Sequence, residues 1–278
     1  MNRPIGTFAA VVLAGDRSSE DPVARAAGVS SKSLTPVGGR PMVLRVLDAL
    51  EAAREIKEIV ICGPSEAAVE QDKELRLRIG SGMVRWMASQ ATPSSSTHHA
   101  MQSLPSTTPV LVTTADHALL TAEMVDYFCS EARQSNKDVV VGLALHESVT
   151  AAYPETKRTA IPLGDASYCS CNLFAFLTPE ARRAAQFWRK VESQRKKTLR
   201  LIAGFGWINL LLYVLKRPTL AQGLERISQR IGLRAGAVLL PFPEAAVDVD
   251  TLSDWELVES IVAGHTPREL SSGHEVQD

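Results

Sequence analysis

The fold is decided by a stretch near the start of the chain, Phe8-Ala9-Ala10-Val11-Val12-Leu13-Ala14-Gly15. An unbroken apolar run that ends on two small residues suits a strand buried on both faces of a parallel sheet. The run is too short for a signal sequence or for a span across a membrane. We therefore predict that it forms the first strand of such a sheet.

Apolar runs and helix-forming segments alternate after this strand. Further strands are predicted at 56–62, 83–87, 110–114 and 138–145, and helices at 41–54, 65–78, from about 98, and at 121–135. Strands and helices that alternate at this spacing predict an α/β fold, a single doubly wound, mainly parallel sheet with flanking helices. Ligands of such sheets bind at the carboxyl ends of the strands, so the residues that follow each strand are the candidates for a site.

The pattern is looser in the second half of the chain. A polar helix is predicted at 179–196, an amphipathic helix at 219–231, a short strand at 237–240 and a last helix at 253–262. The strongly apolar segment 199–215 is predicted to be a core or dimer-interface helix, with peripheral contact to a membrane surface or a lipid acceptor as the alternative. Its length and its two glycines argue against a full membrane span.

The composition is that of a globular protein. Of the 278 residues, 45% are hydrophobic and 22% are charged, which is far from the profile of a disordered chain. Thirty basic residues against 31 acidic residues give a net charge of -1, so no global field attracts nucleic acid or anionic lipid. The four cysteines are few for the length and are interpreted as reduced thiols, so we expect a cytoplasmic protein.

The strongest local pattern joins the end of the first strand to a motif that contains a lysine. Leu13, Ala14 and Gly15 end the strand, and the motif that follows a polar loop is Lys32-Ser33-Leu34-Thr35-Pro36-Val37-Gly38-Gly39-Arg40-Pro41-Met42. A turn of small residues lets backbone N–H groups approach phosphate oxygens, and one lysine adds positive charge. The pattern therefore indicates a binding site for a triphosphate.

These motifs resemble those of the nucleotidyltransferases of the MobA-like and sugar-phosphate type. The family signature is a strand ending Leu-Ala-Ala-Gly, a loop rich in glycine and arginine, and then Lys-x-Leu-x-Pro-Val-x-Gly-(Arg/Lys)-Pro-Met. The resemblance implies a Rossmann-like fold of the GT-A nucleotidyltransferase type. It also implies that Leu13, Ala14, Gly15 and Lys32 bind the nucleotide.

The loop after the first strand departs from the family pattern. The usual Gly-x-Gly-x-Arg is here Gly15-Asp16-Arg17, followed by a longer stretch at 18–31. Arg17 and Arg25 are both candidates for the phosphate-binding arginine of the family, and Arg17 is preferred. This is the part of the chain in which catalysis could differ from the family pattern.

A second region resembles the uridylyltransferase pattern in which a glutamine precedes Gly-Thr-x-His-Ala. Here Gln90 precedes the run Ser96-Thr97-His98-His99-Ala100-Met101, and Ser96 takes the place of the glycine. The resemblance implies that Gln90, Ser96 and Thr97 contact the nucleobase, a task that needs a paired donor and acceptor. The alternative is an ordinary polar loop that caps a helix at Thr97.

Aspartates resemble the metal ligands of the family at two places. Asp116 follows the strand at 110–114 as in the family's Gly-Asp-x-Pro-Leu, whose aspartate binds magnesium, and Asp248 and Asp250 match the closing motif Asp-x-Asp-Thr-Pro-Glu-Asp-Leu. Strand alternation would place Asp248 and Asp250 on one face. We expect Asp116, Asp250 and Asp248 to hold Mg²⁺, with Mn²⁺ as the alternative, because hard cations take carboxylate oxygens. Asp254 is expected to serve the N-terminus of the last helix.

The acceptor side is predicted between these motifs. Lys157 and Arg158 would suit an acceptor phosphate, and Asn172 matches an asparagine that touches the sugar or phosphate of the acceptor in related transferases. A surface turn followed by a strand is the alternative interpretation of this region.

The resemblance implies one nucleotidyltransferase domain at 1–265, followed by a tail at 266–278. A nucleotide-binding half at 7–145 would precede an acceptor-side half at 146–265, which contains a helical insertion at 179–232. The implied activity is Mg²⁺-dependent transfer of a nucleoside monophosphate from a nucleoside triphosphate to a phosphorylated small molecule, of the EC 2.7.7 type. Arg17, Lys32 and Asp116 would be catalytic, in a monomer or homodimer. A non-catalytic nucleotide-binding regulator and a nucleotide-sugar glycosyltransferase are the alternatives.

Overall fold

The structure is a computed structural model, and it describes residues 8–16, 21–156, 158–182 and 218–264. Its strands are β1 (Phe8–Leu13), β2 (Pro36–Val37), β3 (Arg40–Pro41), β4 (Ile56–Cys62), β5 (Arg85–Met87), β6 (Val110–Thr114), β7 (Val139–Leu145), β8 (Ile161–Pro162), β9 (Ser167–Phe176) and β10 (Ala235–Leu239). Its helices are α1 (Pro22–Ala27), α2 (Met42–Ala52), α3 (Glu66–Gln71), α4 (Lys73–Gly80), α5 (Pro93–Gln102), α6 (Ala122–Gln134), α7 (His146–Ala152), α8 (Leu220–Ile231) and α9 (Leu252–Val262).

The centre of the molecule is a mixed sheet of eight strands. Seven of them follow the order β10-β7-β9-β6-β1-β4-β5, and β8 pairs with β9. β1 runs parallel to β4 and β6, while β9 is antiparallel to both of its neighbours, β6 and β7. The predicted α/β fold with a mainly parallel sheet is therefore confirmed, and the carboxyl ends of β1, β4 and β6 meet at one edge.

Helices cover both faces of the sheet, as a doubly wound fold requires. Successive side chains of a strand point to opposite faces. In β1, Ala10 and Val12 pack with the buried faces of α2 and α6, whereas Ala9 and Val11 pack with α5. β1 is thus buried on both sides, which explains its unbroken apolar sequence.

Several element boundaries differ from those predicted. The helix predicted at 65–78 is divided at Asp72, whose carboxylate caps α4. The helix predicted from about 98 begins at Pro93, because the Thr92 hydroxyl accepts a hydrogen bond from Ser95 N and proline fits the first turn. α7 was not predicted.

Three predicted segments lie partly or wholly outside the described residues. The helix at 179–196 lies mostly outside them, and the segments at 199–215 and 266–278 lie wholly outside. In the part of the chain that the structure does describe, no helix has both the length and the apolar character to cross a membrane.

The loops after β1 and β4 are packed directly against each other through Gly15 and Gly63. A Cβ atom on Gly15 would lie 2.7 Å from Ser89 Cβ, so glycine lets the loop after β5 approach the end of β1. Gly63 has a φ of +82°, and a Cβ there would lie 2.9 Å from the backbone N and Cα of Gly15. Gly63 is therefore required by its contact with the backbone of Gly15, and Gly15 by its contact with the side chain of Ser89.

We expect the substitution Gly63→Ala to destabilise the protein by about 2–4 kcal/mol, because an L-residue is strained at this φ and its methyl group meets backbone atoms. Gly80→Ala is the matched control. It adds the same methyl group inside α4 with no atom within 4 Å, and should stabilise by up to about 1 kcal/mol. Urea denaturation would measure both free energies of unfolding. Equal effects of the two substitutions would contradict the required contact between Gly63 and Gly15.

Candidate active site

The site is centred on one lysine that contacts two aspartates. The ammonium nitrogen Nζ of Lys32 lies 2.7 Å from Asp116 Oδ2 and 3.0 Å from Asp250 Oδ1. Lys32 begins a short 3-10 turn before β2, Asp116 follows β6, and Asp250 precedes α9. Three segments that are far apart in sequence therefore meet at the carboxyl ends of β1 and β6, as the motifs predicted.

A small cleft lies over this meeting point. It is lined by Leu13, Ala14, Gly15, Asp16, Lys32, Ser33, Ala115 and Asp116. The side chain of Lys32 is only 17% exposed. Burial lowers the pKa of its ammonium group, but Asp116 and Asp250 outweigh burial and raise that pKa above its ordinary value. The lysine is therefore fully charged at neutral pH.

Backbone hydrogen bonds connect the two strand ends and the segment that carries Asp250. Ala115 N donates to Leu13 O (2.9 Å), which joins the turn before Asp116 to the end of β1. Val249 N donates to Asp116 O (3.1 Å), which joins the residue before Asp250 to the same turn. The separation of the two carboxylates is thus set by main-chain contacts.

Asp16 is a residue of the site that the sequence analysis did not assign. Its Oδ1 accepts a hydrogen bond from Lys32 N (2.9 Å) and another from the Ser31 hydroxyl (3.1 Å). The carboxylate thereby connects the loop after β1 to the start of the lysine motif. Its position directly after Gly15, at a strand end, was the signal that could have identified it.

Arg158 makes internal contacts with two aspartates. Its Nη1 donates to Asp248 Oδ1, its Nη2 donates to Asp248 O (2.8 Å) and Asp254 Oδ1 (2.7 Å), and its Nε donates to Thr156 Oγ1 (3.0 Å). The side chain is 9% exposed. The guanidinium group of Arg158 thus supports the segment around Asp248, and its predicted contact with an acceptor phosphate stays a prediction.

Asp248 is likewise used in internal contacts. While Oδ1 accepts from Arg158, Oδ2 accepts from Asn172 Nδ2 (2.7 Å). Burial and the nearby charge of Asp116 raise the pKa of the Asp248 carboxyl to about 6, although Arg158 acts in the opposite direction. Both oxygens are occupied by protein donors, so the structure does not favour the prediction that Asp248 is a metal ligand.

Asn172 lies at an irregularity in β9. Its φ is +49°, and it falls between the residues of β9 that pair with β7 on either side of a register shift. Asparagine tolerates this left-handed backbone conformation better than most residues. The irregularity turns the Asn172 amide toward Asp248, and the predicted acceptor role of Asn172 stays a prediction.

The region predicted to contact the base is adjacent to the cleft but differs in detail. Gln90 is exposed in the loop after β5, the loop that packs on Gly15, and its backbone N donates to Ser96 Oγ (2.8 Å). Ser96 and Thr97 are buried inside α5, and Ser96 N donates to Thr92 O. The helix holds both side chains in the interior, and their predicted contact with a base stays a prediction. Thr92 caps the helix, instead of Thr97.

The structure describes three of the five remaining residues that the sequence singled out. Asp254 caps α9 in a reciprocal pair of hydrogen bonds with Thr251, as predicted. His117 is fully buried, and burial lowers its pKa to about 4, so it is neutral near pH 7. Arg25 is exposed on α1. Arg17 and Lys157 lie outside the described residues.

The residues present fit a divalent cation at the two carboxylates. One ammonium group already contacts both Asp116 and Asp250, so a single cation can do the same. Among the described side chains, Asp116 Oδ1 is buried and accepts no hydrogen bond. Those side chains contain no group of three or more histidine, cysteine or acidic residues placed to hold a metal. A hard ion such as Mg²⁺ retains several waters, so two carboxylates suffice.

The sheet order and the acids at the strand ends define a class, the α/β nucleotide-binding transferases. A hypothetical transferase from Thermus thermophilus is 31% identical over 89% of this chain and 99% of its own, with a TM-score of 0.70. The 4-diphosphocytidyl-2C-methyl-D-erythritol synthase of Anaerococcus prevotii DSM 20548 shares the fold at 13% identity, over 95% of this chain and 100% of its own (TM-score 0.57). CMP:2-keto-3-deoxy-manno-octonic acid synthetase complexed with CTP also shares the fold, at 13% identity over 92% of this chain and 99% of its own (TM-score 0.56). No curated protein matches the sequence.

The family itself follows from residues 10–236, which match the model of the MobA-like NTP transferase domain. The chain belongs to this family of nucleotidyltransferases. The family assignment confirms the resemblance that Lys32, Asp116 and their flanking motifs indicated.

Proposed function

We propose that the protein transfers a nucleoside monophosphate from a nucleoside triphosphate to a phosphorylated small molecule, with Mg²⁺ (or Mn²⁺) as cofactor. The observation that carries the proposal is the contact of one partly buried ammonium group, Lys32, with Asp116 and Asp250 at the carboxyl ends of the parallel strands. Such a cluster combines positive charge for phosphates with carboxylates for a hard cation.

The bond changes of the proposed reaction are those of an in-line displacement. An oxygen of the acceptor phosphate forms a bond to the α-phosphorus, the bond from that phosphorus to the α,β-bridging oxygen breaks, and pyrophosphate leaves with the electron pair. No covalent intermediate with the protein is needed. Within this scheme the protein binds, orients and neutralises charge.

Each part of the site has a role in this scheme. The backbone at Leu13, Ala14 and Gly15 would approach the phosphates, while Lys32 and Arg17 would neutralise their charge. Asp116 and Asp250 would hold Mg²⁺, which would supply Lewis-acid charge at the phosphates when bound.

The base and the acceptor would be bound by different residues. The exposed amide of Gln90 would read the base edge, and Lys157 with Asn172 would meet the acceptor. Two of the structures that share the fold are a 4-diphosphocytidyl synthase and a synthetase complexed with CTP, so CTP is the first nucleotide to test. The four cysteines are buried and free, which is consistent with a reducing compartment such as the cytoplasm.

The proposal is tested first by binding. With Mg²⁺ and each of ATP, CTP, GTP and UTP, we expect one nucleotide, present at about 100 times its Kd, to raise the Tm by about 5 °C. Thermal shift would be followed by an assay for pyrophosphate release with a panel of phosphorylated sugars and polyols. If none of the four triphosphates changes the Tm, the proposed function is wrong.

A second candidate is a nucleotide-binding regulator without catalysis. It is favoured by the loop after β1, in which the Gly-x-Gly-x-Arg pattern of the family is missing. In this loop the Asp16 carboxylate accepts a hydrogen bond from Lys32 N. A Tm shift with a triphosphate, combined with no pyrophosphate release for any acceptor, would support this candidate instead.

A further inference from the structure

The segment that carries Asp250 has no regular secondary structure of its own. Residues 247–250 lie between the 3-10 turn Pro243–Ala246 and α9, and they belong to neither. The side chain of Asp250 is 56% exposed, so packing does little to fix its position. Two carboxylates can hold one Mg²⁺ only when an oxygen of each lies about 2.1 Å from the ion at the same time. The position of Asp250 relative to Asp116 must therefore be set by contacts of its neighbours.

One guanidinium group contacts this segment on both sides of Asp250. Arg158 donates to the side chain and the main chain of Asp248, which comes before it, and to Asp254 Oδ1 (2.7 Å), which comes after it. The guanidinium group is planar and rigid, so these contacts fix the spacing of the oxygens that it binds. Arg158 therefore holds the two ends of the stretch 248–254 together, with Asp250 between them.

The carboxylate of Asp254 extends this contact to the backbone of Asp250. While Oδ1 accepts from Arg158, Oδ2 accepts from Asp250 N (3.1 Å) and from the next backbone N (2.8 Å). On the other side, Val249 N donates to Asp116 O (3.1 Å). A shift of Asp254 would thus move the main chain of Asp250 relative to Asp116.

We propose that Arg158 is a positioning residue for the metal site. By holding Asp248 and Asp254 it places the Asp250 carboxylate within reach of a cation bound to Asp116, and so it sets the affinity for that cation. The inference rests on the metal site of the proposed function but not on the transfer reaction. A positive charge near a cation site opposes cation binding. Positioning and charge therefore predict opposite effects when Arg158 is removed.

The proposal is tested by titrating the wild type and Arg158→Met with Mn²⁺ in the absence of nucleotide, with the free ion measured by its electron paramagnetic resonance signal. We expect the Kd of Mn²⁺ to rise at least tenfold in the variant, because Asp250 no longer reaches the ion held by Asp116. An unchanged Kd would overturn the proposal. So would a lower Kd, which is the effect of losing a nearby positive charge or of freeing Asp248 as a ligand, and so would a wild type that binds no Mn²⁺.

Arg78→Met is the matched control. Arg78 is 12% exposed, and its Nη2 lies 2.6 Å from both Asp48 Oδ1 and Glu74 Oε1, so it too is a largely buried arginine between two carboxylates. Its partners lie on α2 and α4 instead of beside Asp250. Both substitutions break ion pairs and should lower the Tm. Only Arg158→Met should change the Kd of Mn²⁺ by more than twofold, and an equal rise in both variants would overturn a specific role of Arg158.

Arg158→Lys keeps the positive charge and serves as a second variant if Arg158→Met does not fold. One ammonium group cannot span Asp248 and Asp254 as the guanidinium fork does. We therefore expect the Kd of Mn²⁺ to rise at least threefold. A Kd equal to that of the wild type would overturn the assignment of the positioning role to the fork.

A direct contact of Arg158 with an acceptor phosphate predicts a different result. The KM for the acceptor would then rise in Arg158→Lys while the Kd of Mn²⁺ stayed that of the wild type, and this outcome would overturn the proposal. Failure of the proposed function is distinguishable from failure of this inference. A wild type that binds Mn²⁺ but no triphosphate would contradict the transfer reaction, whereas the Kd values of the variants would still decide the role of Arg158.

Discussion

Asp116→Asn should lower the rate of nucleotidyl transfer by about 10²–10³-fold while the protein remains folded. The substitution keeps the shape of the side chain but removes the charge that faces Lys32 and the oxygen proposed to bind Mg²⁺. Because Asp116 O and the turn after β6 are unchanged, the contact with Val249 N should persist. The measurement is kcat/KM with the triphosphate that gives the Tm shift, together with the Mg²⁺ concentration that gives half-maximal rate.

Asp165→Asn is the control for this substitution. Asp165 is an exposed aspartate whose carboxylate accepts from Leu220 N and Ala166 N, and an asparagine oxygen can accept similar bonds. Its rate should stay within about twofold of the wild type, as is usual for surface positions. An Asp116→Asn variant as active as Asp165→Asn would remove Asp116 from the proposed metal site.

Lys32→Met is expected to reduce kcat/KM by about 10²-fold or more, since a methionine keeps the apolar stem but loses the charge next to the phosphates. A second effect should accompany the loss. Without the ammonium group, Asp116 and Asp250 lose a positive charge that both of them contact, so Mg²⁺ alone should raise the Tm of the variant more than that of the wild type. Activity assays and thermal shift with Mg²⁺ in the absence of nucleotide would measure the two effects separately.

Lys73→Met serves as the control, because Lys73 is exposed at the first turn of α4, away from the cluster. It should leave both the rate and the response to Mg²⁺ unchanged. If Mg²⁺ stabilises Lys32→Met no more than Lys73→Met, the carboxylate pair does not bind the metal, even if the rate of Lys32→Met is low.

The fold and the centre of the site could be predicted from the sequence for the same physical reason. The apolar run of β1 and the small residues at its end are local signals, and the parallel arrangement then brings strand ends to one edge. Asp116 is assigned to the site by this edge, whereas Lys32, 84 residues before it, is assigned by the family motif that it begins. The start of α5 could also have been predicted from Thr92 and Pro93, which are a cap and a first-turn residue.

The roles of Arg158 and Asp248 could not be predicted in this way. An arginine near the acceptor side and an acid in a closing motif both fit functional roles as isolated residues. Their mutual contact depends on how the chain after Tyr153 crosses the residues before α9, over a separation of 90 positions. Neither periodicity nor spacing carries that information, so an internal ion pair was assigned as two separate ligand contacts.

Helix α9 is also held against the lysine motif from the other end of the chain. Trp255 Nε1 donates to Pro36 O (2.7 Å), and Gly38 N donates to Glu259 Oε2 (3.0 Å). During synthesis, Lys32 therefore leaves the ribosome more than 200 residues before the aspartate and the helix that complete its surroundings. A nascent chain that already contains β1, β4 and β6 still lacks Asp250, so the charge cluster can close only after residue 250 has been synthesised.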